Sequence, residues 1–551
     1  MAPPPDDQFN DDEQELLDEE MEGEEGEEET DDTVAGVSAW GISIVLHAII
    51  LVILVFVVYA GLDKPKDAPI QISNIPIPPE EKKEIKRDII ESKVDIVSEV
   101  IKEDAVVHEL DVPVEKLETE DEVVSEQPVK GREEADAVSE MGGTGAFMAI
   151  GAGGGASGAY GFRNGGGRKR AVGAYGGSQA SESAVEAALR WFVRHQSPNG
   201  QWDVDGYPQN CQEAGPKCEP GTAHTSVSGD VACTGYALLC FLGAGYDHRS
   251  PNRYQATVKK GIDWLVSVQG ANGLLGVRNY EHPVATMALA EAYAMTNDPA
   301  LRDPVQRGVN VILERQVKGT VTTKVTGQQV GEYGLGWDYT SPKMDRQDSS
   351  VSGWNVMALK AAKAGGIDIG SGLDGAKQWV KGAWEAANKA QNIDVKSLDP
   401  YGESVFPYTW NGSSNSVQRP GPLTCVGLLA SVFLDVRIGD VMLDTMANYC
   451  YNKQTPAGWP TDTYYMYYNT LGMFQVQGEK WQKWNSQVRD MLVNAQRRDP
   501  ACFDGSWDPQ GAGGHHVSEV GRLLVTAYCC LSLEVYYRYL PMQGQGAAAP
   551  K

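Results

Sequence analysis

The 551-residue chain is predicted to fold, beyond residue 180, as an all-α domain: an (α/α)6 toroid of twelve alternating inner and outer helices. Two observations predict it. Six helix-length segments end in Gln and run into a Gly-containing loop, usually with Trp, at Gln196, Gln269, Gln316, Gln391, Gln454 and Gln496. Between them lie six segments that are apolar on nearly every side and rich in small residues. The first kind carries charge along one side, as in RDPVQRG and QKWNSQVRD, and belongs outside; the second belongs in an interior.

Each element has a local reason. The Gln-ending units read WFVRHQSPNGQW from 191, WLVSVQGANGLLG from 264, and VILERQ from 311 with GLGWDY from 334. Looser copies are KAQNID from 389 with YTW from 408, YCYNKQTPAGWP from 449, and MLVNAQRRDP from 491 with FDGSW from 503. A Gln near a helix C-terminus can bond carbonyls that the helix leaves unpaired, a Gly takes the left-handed cap, and a Trp stacks over the loop. The apolar units are DVACTGYALLCFLGAG from 230, PVATMALAEAYAM from 283, SVSGWNVMALKAAKAG from 350, PLTCVGLLASVFL from 422, TYYMYYNTLGMFQV from 463, and EVGRLLVTAYCCLSLEVYYRYL from 519.

Over residues 180–540 these units closely resemble the repeats of the terpenoid cyclase and protein prenyltransferase superfamily, the squalene cyclase-like toroids. The resemblance implies the fold. The activity motifs do not carry over. Cyclases of this kind use an Asp-rich D-x-D-D acid, whereas this chain has DVDG at 203–206, read as a solvated turn. Prenyltransferases bind zinc through an Asp, a Cys two residues on and a distant His; here Asp230, Cys233 and His282 have the wrong spacing, so a buried Cys and an N-capping Asp are expected, with no metal and no cofactor. Cys211 and Cys218 flank a short polar loop and could pair as a disulfide outside the cytoplasm.

The N-terminal part differs in kind. Before residue 142 there are 40 Asp and Glu against 11 Lys and Arg, while the remainder is near neutral; a net charge of −28 argues against a nucleic-acid partner. Residues 1–37 hold no base and read as a disordered acidic tail. Residues 38–62, with AWGISIVLHAIILVILVFVVYAGL, are long enough and apolar enough to cross a hydrocarbon core of ~30 Å as a single-pass anchor. Residues 63–141 read as a Pro-rich charged linker, 142–179 as a Gly-rich hinge and 541–551 as a disordered tail.

Within the apolar segment Ser43 and His47 share one helix face. Their S-x-x-x-H pattern is similar to the transmembrane helix of TonB-type transducers, which implies packing against a proton-driven motor complex. Lys64, Lys66, Lys82, Lys83, Lys86 and Arg87 follow the segment, so the positive-inside rule places the C-terminus in the cytoplasm. The resemblance implies the reverse, a toroid on the periplasmic side of the cytoplasmic membrane, and the acids interleaved with those bases tilt the reading that way.

A toroid presents the N-terminal ends of its inner helices around a mouth. The residues expected there are His224 and Asp230; Tyr280, Glu281 and His282; Arg346 and Asp348; Tyr408 and Arg419; Asp462, Tyr464 and Tyr465; and His515, His516 and Glu519. This aromatic, mixed-charge set suits a polar ligand better than a hydrocarbon polyene. With the superfamily's activity motifs missing, the expected function is a membrane-anchored, non-catalytic ligand- or partner-binding module. The alternative is an enzyme, either a diverged cyclase or a hydrolase using paired carboxylates such as Glu281 and Asp348.

Overall fold

At four of the six junctions a side-chain amide links an outer helix to the next in the computed structural model, which describes residues 160–541 apart from 164, 222–226, 323–328, 341–345, 413–415, 500, 510–519 and 540. The chain divides into units Met1–Val112 and Pro113–Lys551, and the described residues all belong to the second. After a helix α1 (Gly165–Tyr175), the outer helices are α2 (Gln179–His195), α4 (Gln255–Val268), α6 (Pro299–Glu314), α8 (Gly372–Ala390), α10 (Val441–Gln454) and α12 (Gly478–Ala495). The inner ones are α3 (Val227–Gly243), α5 (Glu281–Thr296), α7 (Ser349–Ala364), α9 (Thr424–Phe433), α11 (Thr463–Val476) and α13 (Arg522–Leu533). Each inner helix packs on the next and α13 packs on α3, while α12 returns to α2, so both rings close into the predicted (α/α)6 toroid. Among the described residues strand is confined to a hairpin, β1 (Lys318–Thr322) with β2 (Gln329–Gly334), and a two-residue pairing of β3 (Gln347–Asp348) with β4 (Thr409–Trp410).

The repeat has a hydrogen-bond grammar. Gln196 Nε2 donates to Gly200 O (2.9 Å) in its own loop and to Thr257 O (3.0 Å) in the next outer helix. Gln269 does the same to Gly273 and Pro304, and Gln316 to Leu335 and Gly372. Gln496 donates to Gly505 O (2.9 Å) and to Ala184 O (2.8 Å) of α2, closing the circle. The loop glycines let the backbones meet: at Gly200 (φ +104°) and Gly505 (φ +89°) a Cβ would lie 2.2 Å from Lys260 O and Ala187 O. Repeats four and five depart from the pattern: Asn388 rather than Gln391 ties the fourth helix end, its Nδ2 donating to Trp384 O and Val405 O and its Oδ1 accepting from Val405 N, and Gln454 Nε2 donates to Pro422 O (2.8 Å) ahead of α9.

The indoles complete the clasp. Trp202, Trp337 and Trp507 donate Nε1–H to the carbonyls of Phe192, Ile312 and Leu492, each four residues before the clamping Gln. Their own backbone N–H groups bond a hydroxyl of the inner helix, Thr234, Ser352 and Thr526.

Residues 160–175, expected to belong to a flexible hinge, pack against the toroid instead. Four glycines make GGGRKRAVGAY a poor helix, but tertiary anchors override propensity. Arg168 bonds Glu182 (2.7 Å) and Ala244 O (2.8 Å), and Trp481 Nε1 donates to Tyr175 O. Just before α1, Arg163 inserts at the C-terminal ends of the inner helices, where it meets Glu291 (2.7 Å), Leu242 O and Arg538 O. Glu291 also takes Arg538 at 2.9 Å, and all three side chains are fully buried. That end of the lumen is sealed by ions.

Among the described residues no helix is long and apolar enough to cross a membrane. For these residues this corrects the expectation of a single-pass protein of the cytoplasmic membrane: the apolar helices that are described bury their faces against one another in the inner ring. The segment 38–62 that carried the expectation, with Ser43 and His47, lies outside the described residues, as do the tail 1–37 and the linker 63–141.

Two stability predictions follow from these contacts. Trp202→Ala, at 0% exposure, is expected to cost about 3–5 kcal/mol in denaturant unfolding, since it removes the ring and orphans Phe192 O. Arg163→Met leaves Glu291 with one cation of two and is expected to cost about 3–5 kcal/mol; a loss below about 1 kcal/mol would show the N-terminal segment to be loosely docked.

Candidate active site

The N-terminal ends of the inner helices gather carboxylates beside an exposed arginine, whereas the ionic cluster at their C-terminal ends is fully buried. Asp348, the N-cap of α7, is fully buried; its Oδ1 accepts from Ser350 N (2.9 Å), Ser350 Oγ (2.5 Å) and Val351 N (3.3 Å), and its Oδ2 meets Arg346 Nη2 at 3.3 Å. Burial raises its carboxyl above the ordinary range, with the Ser350 hydroxyl and Arg346 opposing. The other face of the same guanidinium holds Asp338 through Nη1. Two carboxylates are thus joined by one exposed arginine.

Tyrosines from neighbouring elements surround the pair. Tyr280, the residue before α5, stacks on Tyr339 with centroids 6.0 Å apart and planes at 13°. Both rings and Tyr408 are half-buried and lie within electrostatic reach of Asp348, which with burial pushes their hydroxyl pKa values up. Asn279 Nδ2 fixes this loop by donating to Asp338 O (3.0 Å). Below the mouth the lumen is filled: Tyr236, Trp354, Tyr464, Tyr467, Tyr468 and Tyr528 are each at most 2% exposed and pack edge-to-face or stacked.

The remaining expected site residues divide into three groups. His224, His515, His516 and Glu519 lie outside the described residues. Structural work occupies Glu281, His282, Asp462 and Tyr464. Glu281 Oε1 accepts from Val277 N (3.1 Å) and Arg278 N (2.7 Å), so its carboxylate caps a loop and does not pair with Asp348 as expected. His282 Nδ1 accepts from Leu275 N (3.0 Å) and Nε2 donates to Gly308 O (2.9 Å), which makes it the second repeat's replacement for the hydroxyl that clasps the loop elsewhere. Asp462 caps α11 through Tyr464 N and Tyr465 N, and Tyr464 belongs to the lumen packing. The third group is at the mouth: Asp348 and Arg346 as above, and Asp230 on the rim, whose Oδ1 accepts from Val204 N (2.9 Å) and whose pKa burial pushes up to about 6.

Asp230, Cys233 and His282 do not come together as ligands; the described residues with metal-ligand geometry lie elsewhere, at His195, Cys218 and Cys502. Cys211 and Cys218 are free thiols rather than a disulfide, because both turn towards Cys502. DVDG is the expected turn, closed by Asp203 Oδ1 on Asp205 N and Gly206 N. Asp338 and Tyr339 were missed as site residues; they sit in the GLGWDY loop, where the repeat pattern accounts for the Trp and disguises its neighbours.

No protein-family profile and no curated protein matches the sequence. Solved structures do. An inactive variant of an α-1,6-mannanase from a Salegentibacter species is 11% identical, with 65% of this chain and 99% of that chain covered and a TM-score of 0.42. A glycoside hydrolase family 76 mannosidase from Bacteroides thetaiotaomicron is 10% identical (66% and 98% covered, TM-score 0.40), and a cellobiose 2-epimerase from Spirochaeta thermophila 9% (65% and 96%, TM-score 0.45). At these identities no residue role transfers to this chain. These three are described as enzymes, which stands against the expectation of a membrane-anchored, non-catalytic binding module.

Burial holds His282 down, to about 4, against the Gly308 carbonyl's opposing pull. An unfolded His titrates near ~6.5, so the neutral ring's contribution is complete above that pH and is lost as pH falls towards 4. Between pH 7.5 and 4.5 the wild type is expected to lose about 2–3 kcal/mol more stability than His282→Gln, read from denaturant unfolding at both pH values.

Proposed function

We propose that this chain is a hydrolytic enzyme that cleaves a glycosidic bond in a polyhydroxylated, carbohydrate-class substrate at the toroid mouth. The observation that carries the reading is Asp348: a fully buried carboxyl with a raised pKa, one guanidinium away from a second carboxylate, beneath half-buried tyrosines. A carboxyl kept protonated nearer neutrality can donate its proton to the leaving-group oxygen, while an ionised partner supports the cationic carbon or takes a proton from the attacking water. Asp348 fills the first role and Asp338, salt-bridged to Arg346, the second. The stacked Tyr280 and Tyr339 offer flat apolar faces for a sugar ring and hydroxyls for its polar edge. The terpenoid cyclase alternative lacks support, because the close-packed aromatic rings occupy the volume a polyene needs.

Asp348→Asn tests the assignment without dismantling the helix, since Asn caps a helix as well as Asp does. Hydrolysis of a panel of oligosaccharides, read as new reducing ends, is expected to fall by about 10²–10⁴-fold in the variant with its unfolding midpoint little changed. Unaltered turnover in Asp348→Asn, or no turnover of any glycoside by the wild type, would sink the proposal.

A further inference from the structure

The ring closes where its first and last repeats meet, and there the loop after α2 brings its thiols against the loop after α12. His195, Cys218 and Cys502 place their ligand atoms within 4.8 Å of one another, in full burial. His195 Nε2 lies 3.1 Å from Cys502 Sγ, and the Cys218 backbone N–H donates to that same sulfur at 3.2 Å. The Cys211 thiol, 2% exposed and within the electrostatic influence of Cys502, lies just outside that 4.8 Å set. We propose that His195, Cys218 and Cys502, with the Cys211 thiol drawn in as the fourth ligand on binding, form a structural Cys3His zinc site that staples the two ends of the toroid together.

Several independent features suit a tetrahedral d10 ion. Three sulfurs and one imidazole nitrogen are a common closed zinc set. His195 Nδ1–H donates to Trp191 O at 2.7 Å, which fixes the tautomer that leaves Nε2 bare and aimed at Cys502, as metal-bound histidines are held by a partner on the other ring nitrogen. The ring itself is locked by stacking on Trp191, centroids 4.1 Å apart. Binding displaces the thiol protons to solvent and involves no oxidant.

The surrounding frame explains why these loops stay in register. Arg522 spans them, bonding Glu219 at 2.8 Å on one side and Asp508 at 2.7 Å on the other. The ligands are 307 residues apart in sequence, His195 to Cys502, so an ion there closes a very long loop. The site is distant in role from the mouth and does not depend on the hydrolase assignment.

The whole chain, purified under reducing conditions without chelator, is expected to hold about one zinc by elemental analysis. Cobalt(II) replacing it should give the intense visible bands of tetrahedral coordination and a thiolate-to-cobalt charge-transfer band. Cys218→Ser and Cys502→Ser should each lose the metal, and stripping wild-type protein with a chelator should lower its unfolding temperature reversibly on zinc return. Since a serine variant can misfold, Cys233→Ser, a buried thiol outside the cluster, serves as the control and should keep its ion. Zinc-free, fully reduced wild type, an octahedral cobalt spectrum, a mass two hydrogens short from a disulfide within the cluster, or metal retained in Cys218→Ser would each overturn the proposal.

Discussion

Every repeat of this toroid depends on the same constraint: an outer helix ends with carbonyls that have no helical partner, and the next outer helix begins beside them. The Gln amide answers both with one pair of N–H donors, holding its own loop and the neighbour's first two turns at 2.8–3.0 Å in the copies at 196, 269, 316 and 496. A hydrogen bond of this kind contributes only about 1 kcal/mol net, whereas a buried carbonyl left unmade costs more. The clamp therefore acts less as glue than as a register device. It sets the angle between neighbours at four of the six junctions, and the last of these, Gln496 on Ala184 O, returns α12 to α2.

With the register fixed, the inner helices can be apolar on all sides, and polarity is left to their ends. At one end Arg163, Glu291 and Arg538 form an ionic cluster in which no side chain is exposed. At the other, N-caps and loops collect Asp338, Arg346, Asp348 and their tyrosines. The same N-terminal position on α11 carries Asp462, yet that carboxylate is only half-buried and serves its cap. Asp348 differs because the β3–β4 pairing and the Tyr280–Tyr339 stack cover it, and cover is what raises its pKa.

Departures from the repeat mark where something other than repetition is at work. His282 substitutes for a Thr or Ser hydroxyl in the second repeat and thereby makes one clasp titratable. Asn388 displaces Gln391 in the fourth and leaves that Gln exposed. The first and last repeats carry His195, Cys211, Cys218 and Cys502, the residues that meet only because the circle closes. Irregular copies in a cyclic array are informative for this reason: the regular ones already explain folding.

The sequence by itself determined the alternation of charged and apolar helices, their number, the Gln–Gly–Trp logic and the turn at DVDG, because these rest on periods and loop chemistry that act within a few residues. It also named Asp348, Arg346 and Asp230 as mouth residues from their place ahead of apolar helices. Tertiary structure alone decided which of the candidates face the mouth, since Glu281 and His282 precede a helix just as Asp348 does but turn to loop backbone. It decided that Asp338 shares Arg346 with Asp348, that a glycine-rich segment becomes α1 once Arg163 and Arg168 are anchored, and that Cys211 and Cys218 answer to Cys502 rather than to each other. Those outcomes depend on contacts between residues far apart in the chain, and such contacts exist only after the ring has closed.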